Sequence, residues 1–236
     1  MRSFSKEKKL LPEYPVTPHL PWKCTGLGVQ ATHGECSLLW TSPYVCVQEK
    51  IDGANCGMTI GPDGHPVIRN RDHILTKGYL KDTPAKMQFR PVFNWFYEHK
   101  KMFSALVEQG PYSVYGDWMY MAHGMKYDLL PSLFMTYDVY NHEKEQFLES
   151  KQSQSILVEC GFSFINCIHF GPLDSWLQIE EMANDLTSYA DNTQREGVYV
   201  KVSDGDWITQ RFKMVRPGFV QGALFSDTII RNTLSK

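Results

Sequence analysis

The chain has 236 residues, 42% hydrophobic and 13% aromatic, with 24 Lys and Arg against 26 Asp and Glu, a formal net charge of −2. That length suits one large domain or two small ones around a substantial core. The near-neutral balance excludes a protein that holds nucleic acid by bulk positive charge, although a local basic groove can coexist with it. No apolar run approaches the length of a membrane span, and the start, Met1 to Lys6, lacks the apolar centre of a signal peptide. Six cysteines (Cys24, Cys36, Cys46, Cys56, Cys160, Cys167) are scattered without CxxC pairs or zinc spacing, which reads as reduced core thiols in a soluble, cytoplasmic protein.

In chain order, a basic cluster (Arg2, Lys6, Lys8, Lys9) precedes a segment punctuated by Pro12, Pro15, Pro18 and Pro21. Proline fixes φ and restricts the residue before it, so the N-terminal stretch to about residue 40 reads as extended and wrapping the surface. Residues 23 to 42 carry no pattern strong enough to assign. The alternation of Val45, Val47 and Glu49 predicts a strand that stops at Asp52-Gly53, and a second strand follows over Cys56 to Ile60. Gly61-Pro62-Asp63-Gly64 predicts a hairpin into a third strand, Pro66 to Arg71.

Helical spacing then covers Pro91 to Val107, with Pro91 in the first turn and Gly110-Pro111 as the stop. Tyr112 to Trp118 and Leu133 to Tyr140 read as strands either side of a loop. Ser150 to Cys160 and Asp174 to Leu186 read as helices, the second capped by Asp174 with Trp176, Ile179, Ala183 and Leu186 inward. Phe162 to Phe170 between them is one apolar strand. Gly197 to Val202 and Trp207 to Val215 close the pattern around a Ser203-Asp204-Gly205-Asp206 turn. Hairpin-joined strands interrupted by helices predict an α+β fold of antiparallel sheets flanked by helices.

The chemistry centres on Lys50, at the lip of the first strand. An amine is nucleophilic only when neutral, and a free lysine has a pKa of about 10.4. Bringing that to roughly 7.5 takes about 4 kcal/mol, which burial and nearby cations can supply. Other strand ends repeat the theme of one polar residue on an apolar strand: Arg69 with Arg71, Asp117, Tyr137-Asp138, Glu196 with Lys201, and Arg211 with Lys213. A cleft lined by a lysine nucleophile, several cations and two carboxylates suits phosphoryl or nucleotidyl transfer, where catalysis is mostly positioning and charge stabilisation. The glycine-lysine loop of P-loop enzymes is absent.

These residues resemble the covalent nucleotidyltransferases, the family of DNA ligases, RNA ligases and mRNA capping enzymes. Glu49-Lys50-Ile51-Asp52-Gly53-Ala54-Asn55 is similar to the nucleophile motif, Lys-x-Asp-Gly, in its RNA-ligase form. Val67 to Asn70, Tyr115 to Trp118, Phe134 to Tyr140, Arg195 to Lys201 and Arg211 to Arg216 resemble the motifs that follow it, in the family's order. The resemblance implies an ATP-grasp-like nucleotidyltransferase domain over residues 1–236, with the nucleotide cleft between the sheets. It implies that Lys50 takes AMP from ATP, passes it to an RNA 5′-phosphate, and a 3′-hydroxyl then displaces it.

By the same resemblance Glu49, through its side chain or the adjacent backbone, reads the adenine edge, and Ile51 lines the nucleotide site. Tyr137 stacks on the base, Arg69 or Arg71 contacts ribose or phosphate, Asp117 the ribose hydroxyl, and Asn55 orients the phosphates. Glu196, with Asp117, holds Mg2+ or Mn2+. Arg211 and Lys213 grip the α-phosphate and lower the pKa of Lys50. Two positions depart from the pattern: Asp117 is usually glutamate, and Arg211 is usually lysine. His123 and Tyr127 are candidate substrate contacts. After Lys213 only 23 residues remain, too few for an OB-fold of roughly 50, so an RNA ligase is expected over a DNA ligase or an end-adenylating enzyme. A non-catalytic nucleotide- or RNA-binding module would not need the nucleophile.

Overall fold

The computed structural model describes residues 9–22, 28–76, 87–222 and 230–235. Arg2, Lys6, Lys8 and Cys24 lie outside the described residues. Among the described residues ten strands form two sheets. In the first, β1 (Val45–Lys50), β8 (Cys167–Phe170), β9 (Gly197–Asp204) and β10 (Trp207–Val215) run antiparallel in the order β10-β9-β1-β8. The second comprises β2 (Ala54–Ile60), β3 (Pro66–Asn70), β4 (Tyr112–Trp118), β5 (Phe134–Asn141) and β6 (Gln146–Phe147), in the order β3-β2-β4-β5-β6. β7 (Ser163–Phe164) joins β5 in parallel. Neither sheet closes into a barrel. The predicted α+β architecture of antiparallel sheets is the one observed.

β1 and β2 do not pair: Ile51 to Gly53 carries the chain from the first sheet into the second. All six β1 residues are buried, as expected of a strand covered on both faces. At the crossing, a Cβ on Gly53 would lie 2.4 Å from Met119 Sδ and 2.9 Å from Asp117 Cβ, so only glycine fits. The nucleophile candidate therefore sits where the two sheets part.

Helices cover the outer faces. α1 (Val92–Glu98) and α2 (Lys100–Gln109) replace the single predicted helix. They break at His99, whose ring stacks on Trp95 at 4.2 Å while its Nδ1 lies 2.8 Å from the Trp95 carbonyl. Both helices bury Val92, Phe96, Phe103 and Leu106 against the outer face of the second sheet. α3 (Ser150–Glu159) is capped by Glu149, which accepts from the amides of Lys151 and Gln152. α4 (Trp176–Asn184) starts later than predicted, because Ser175 and not Asp174 caps it, accepting from Gln178 N at 3.2 Å. It ends before Leu186, which is exposed. Ile179 and Ala183 pack with Leu20, Val45, Val47, Val198, Val200, Phe212 and Met214 behind the first sheet.

The predicted strand over 162–170 is two strands, because Gln48 and Glu49 draw the chain across at its middle. Gln48 Nε2 donates to the Ile165 carbonyl and Glu49 N to that of Asn166. Residues 11–22 do more than wrap the surface. Leu11 and Pro12 carbonyls accept from Arg69 and Tyr115 of the second sheet, while Pro18 and Leu20 bond to Lys213 of the first. This strap ties one sheet to the other. Among the described residues no helix is long and apolar enough to cross a membrane.

Candidate functional site

Side-chain alternation sorts the first sheet into two faces. Val45, Val47, Val198, Val200, Phe212 and Met214 enter the core behind it. Cys46, Gln48, Lys50, Tyr199, Lys201, Arg211 and Lys213 stand on the other face, toward the second sheet. The register aligns them in rows: Arg211, Lys201, Cys46, then Lys213, Tyr199, Gln48, then Val215, Gly197, Lys50. The opposing face of the second sheet supplies Tyr115, Asp117 and Tyr137.

Lys50 is buried, and its Nζ lies 2.7 Å from Glu196 Oε2 and 5.2 Å from the Tyr199 ring centre. Burial pushes the ammonium toward neutrality, but Glu196, Tyr199 and Asp117 outweigh it and hold the pKa above the ordinary lysine value. Arg211 does not counter this. Its guanidinium bonds Asp138 Oδ2 at 3.3 Å and Tyr14 Oη at 3.2 Å. The expected lowering of the Lys50 pKa by Arg211 and Lys213 is thus reversed, because the nearest charge is a carboxylate.

Burial raises Glu196 to about 7 against the opposing pull of Lys50, with Asp52 adding to the rise. Asp117 rises to about 7 for the same reasons in the same order. Three carboxylates, Asp52, Asp117 and Glu196, therefore share one field with a single buried ammonium. Among the described residues no three His, Cys, Asp or Glu side chains converge into a self-sufficient metal cage. Mg2+ is usually held by one or two carboxylates with substrate phosphates completing its shell, and that donor set fits Glu196 and Asp117.

Asn55 lies opposite Asp117 in the β2–β4 register, and its Nδ2 donates to Tyr137 Oη at 2.6 Å. Its Oδ1 is buried without a hydrogen-bond partner among the described residues. The Tyr137 ring is packed edge-on to Tyr14 at 5.4 Å and tilted to Tyr199 at 6.2 Å, and it is only 3% exposed. Neither face of the ring is open to solvent. Ile51 is buried in the apolar cluster with Met119 and Tyr127.

The Glu49 side chain leaves the site altogether. It projects to the face opposite Lys50, where Thr187 Oγ1 and, at 3.2 Å, Ser188 N donate to it. Burial raises its pKa and these donors oppose the rise. Arg69 is spent on carbonyls: Nη1 on Leu11, Nη2 on Arg71 and Nε on Asn70, at 2.9 to 3.0 Å. Arg71 is exposed at the mouth and pulls down the pKa of Asp117 and Tyr199 electrostatically. Lys213 is half-buried, its backbone bonded to Pro18 and Leu20.

Sequence reasoning assigned no role to Tyr199 or His19, and named Asp138 and Asp52 as polar strand-end and turn residues without their partners. Tyr199 covers the ammonium. Asp138 binds Lys201 Nζ at 2.6 Å beneath the site, and Lys201 also bonds Gln48 Oε1 and the Tyr137 carbonyl at 3.1 Å. Asp52 accepts from Gly124 N and donates its own amide to Tyr127 Oη at 2.7 Å, so Tyr127 holds the turn and is not open to substrate. His19 pairs with Lys213 along the strap, and burial, Lys213 and Lys50 together lower its pKa. Strand alternation carried a signal for Tyr199; the other three depend on contacts between distant segments.

Chains of known structure share this fold. The Naegleria gruberi RNA ligase solved with pyrophosphate superposes with a TM-score of 0.56 at 18% identity, over 74% of this chain and 50% of that one. The same protein with ATP and Mn gives 0.55 at 19%, over 74% and 50%, and with AMP and Mn 0.53 at 19%, over the same shares. At such identity the likeness is one of fold, and the chain spans about half the length of these structures. No curated protein sequence matches the chain. A family profile described as RNA ligase matches residues 43–215, from the start of β1 to the end of β10 and so across every strand that builds the site. The chain belongs to the RNA ligase family.

Proposed function

We propose that this chain is the adenylyltransferase domain of an ATP-dependent RNA ligase, working in the cytoplasm, where its buried thiols stay reduced. The observation that carries the reading is the buried Lys50–Glu196 pair at the parting of the two sheets. A lysine that deep, with carboxylates around it, suits a nucleophile. Once phosphate and cation compete for Glu196, Lys50 loses the partner that holds its proton and releases that proton to water. The neutral amine attacks the α-phosphorus of ATP, a P–N bond forms, and the P–O bond to pyrophosphate breaks. The resulting lysyl-AMP passes its adenylyl group to an RNA 5′-phosphate. A 3′-hydroxyl then attacks that phosphate, releasing AMP and closing the phosphodiester.

Glu196 and Asp117 would hold a divalent cation, which supplies positive charge to the phosphates. Lys213 and Arg71 contact phosphate, whereas Arg69 and Arg211 shape the walls. Glu49 acts through its backbone, since its carboxylate lies on the other face. Incubation with ATP labelled at the α-phosphate and Mg2+ or Mn2+ gives a protein adduct that Lys50→Ala abolishes. Absence of an adduct from the wild-type chain refutes the reading.

A further inference from the structure

The position of Lys50 is set by a turn, and the turn is held from two distant parts of the chain. Residues 119–131, between β4 and β5, fold back over Ile51 to Gly53. Tyr127, fully buried, accepts the Asp52 amide at 2.7 Å, and Gly124 N donates to the Asp52 carboxylate. A Cβ on Gly124 would lie 2.7 Å from Asp52 Oδ2 and 2.6 Å from Phe219 Cζ, so glycine is required for the approach. Both the backbone and the carboxylate of Asp52, two residues beyond Lys50, are thereby fixed by this loop.

The loop has no helix or strand of its own to hold it. Residues 230–235 supply that support. Asn232 is buried, accepts from Tyr127 N at 2.8 Å, and donates to the Met119 and Met121 carbonyls at 2.8 and 3.2 Å. Thr233 N donates to the Tyr127 carbonyl at 3.0 Å, and Ala122 N to that of Ile230 at 2.9 Å. Both backbone groups of Tyr127 are thus anchored while its hydroxyl reaches the nucleophile turn. An amide side chain presents acceptor and donors on one short planar group, which Asp and Leu do not.

We propose that Asn232 and Tyr127 act as positioning residues for Lys50, through the Asp52 amide. The inference rests on the adenylyl-transfer reading. Neither residue touches the reacting atoms, but attack by the amine tolerates little displacement, and a shift near 1 Å costs about 100-fold in well-ordered sites. The test is single-turnover formation of the labelled adduct by wild type, Tyr127→Phe, Asn232→Leu and the double variant, over a range of ATP concentrations.

Each single variant is expected to lose at least tenfold in rate at saturating ATP, with half-saturating ATP within threefold of wild type. The double variant is expected to fall no further than the slower single, because one path is cut at two points. A purely structural role would lower the burst amplitude and leave the rate constant intact. Tyr127→Phe removes one oxygen and keeps the ring, so it carries the test even where Asn232→Leu fails to fold. A Tyr127→Phe rate within twofold of wild type refutes the clamp, as do losses that multiply in the double variant. A wild-type chain with no adduct refutes the underlying reading instead.

Discussion

Asp138 neutralises two buried cations, and its removal should be the costliest single change beneath the site. Its carboxylate is 0% exposed, with Lys201 Nζ at 2.6 Å on one oxygen and Arg211 Nη2 at 3.3 Å on the other; their side chains are 2% and 9% exposed. Tyr14 Oη donates to the same second oxygen at 2.6 Å. In Asp138→Ala, Lys201 keeps Gln48 and the Tyr137 carbonyl, and Arg211 keeps Tyr14, but neither keeps an anion. Stripping one partner from a buried ion pair costs about 3–5 kcal/mol. For a chain of this size each kcal/mol lowers Tm by about 2–4 °C, so a fall of about 6–20 °C follows.

Lys201→Met is the informative companion, because Asp138 retains Arg211 and Tyr14 in that variant. Its Tm should fall less than half as far. Asp138→Ala made on the Lys201→Met background should cost less than on wild type, since one of the two stranded cations is gone. Thermal unfolding followed by near-ultraviolet circular dichroism reads all four proteins. A loss under 3 °C for Asp138→Ala, or equal losses in both backgrounds, would show that the network carries no net charge compensation.

Arg69 and Arg71, two residues apart, should separate cleanly. Arg69→Ala orphans the buried Leu11 carbonyl and frees those of Asn70 and Arg71 to water, and should lower stability by about 1–3 kcal/mol in urea unfolding. Arg71→Ala should leave the midpoint unchanged and raise half-saturating ATP for adduct formation about tenfold. The His142 ring, bonded to Ser113 Oγ at 2.7 Å, is pushed down by burial to about 4. The unfolded imidazole takes up its proton near 6.5 while the folded one stays neutral, so this contribution is present above 6.5 and lost as pH falls toward 4. Urea unfolding at pH 7 and 4.5 should show His142→Gln losing about 2 kcal/mol less than wild type across that interval, after allowance for partial exposure.

Local chemistry made much of the fold readable. Turn and strand signals placed β2, β3, β4, β9 and β10 within a few residues because hairpin residues and β-branched alternation act over short range. What failed was long-range. Nothing in Asp52-Gly53 says whether the next strand turns back on the same sheet or leaves for another; that depends on both faces of β1 being covered, by α4 and by the second sheet. The split of 162–170 into β7 and β8 likewise depends on Gln48 and Glu49, more than a hundred residues earlier.

The site shows the same division. The motif positions did converge: Lys50, Glu196, Asp117, Asn55 and Tyr137 all face one space between the sheets. Contacts implied by the resemblance fared differently, because a motif does not tell which partner is nearest. Arg211 found Asp138, Arg69 found carbonyls, Glu49 found Thr187, and Lys50 found an anion where cations were expected. That last contact changes the chemistry of the first step. An ammonium paired at 2.7 Å is not a nucleophile, so on the proposed reading activation requires that pair to be broken. In the proposed reaction phosphates and their cation would supply that change, with a competing positive charge at Glu196 and a new acceptor field beside Lys50. A lysine kept charged until its substrate arrives is also protected from other electrophiles, which a permanently neutral amine would not be.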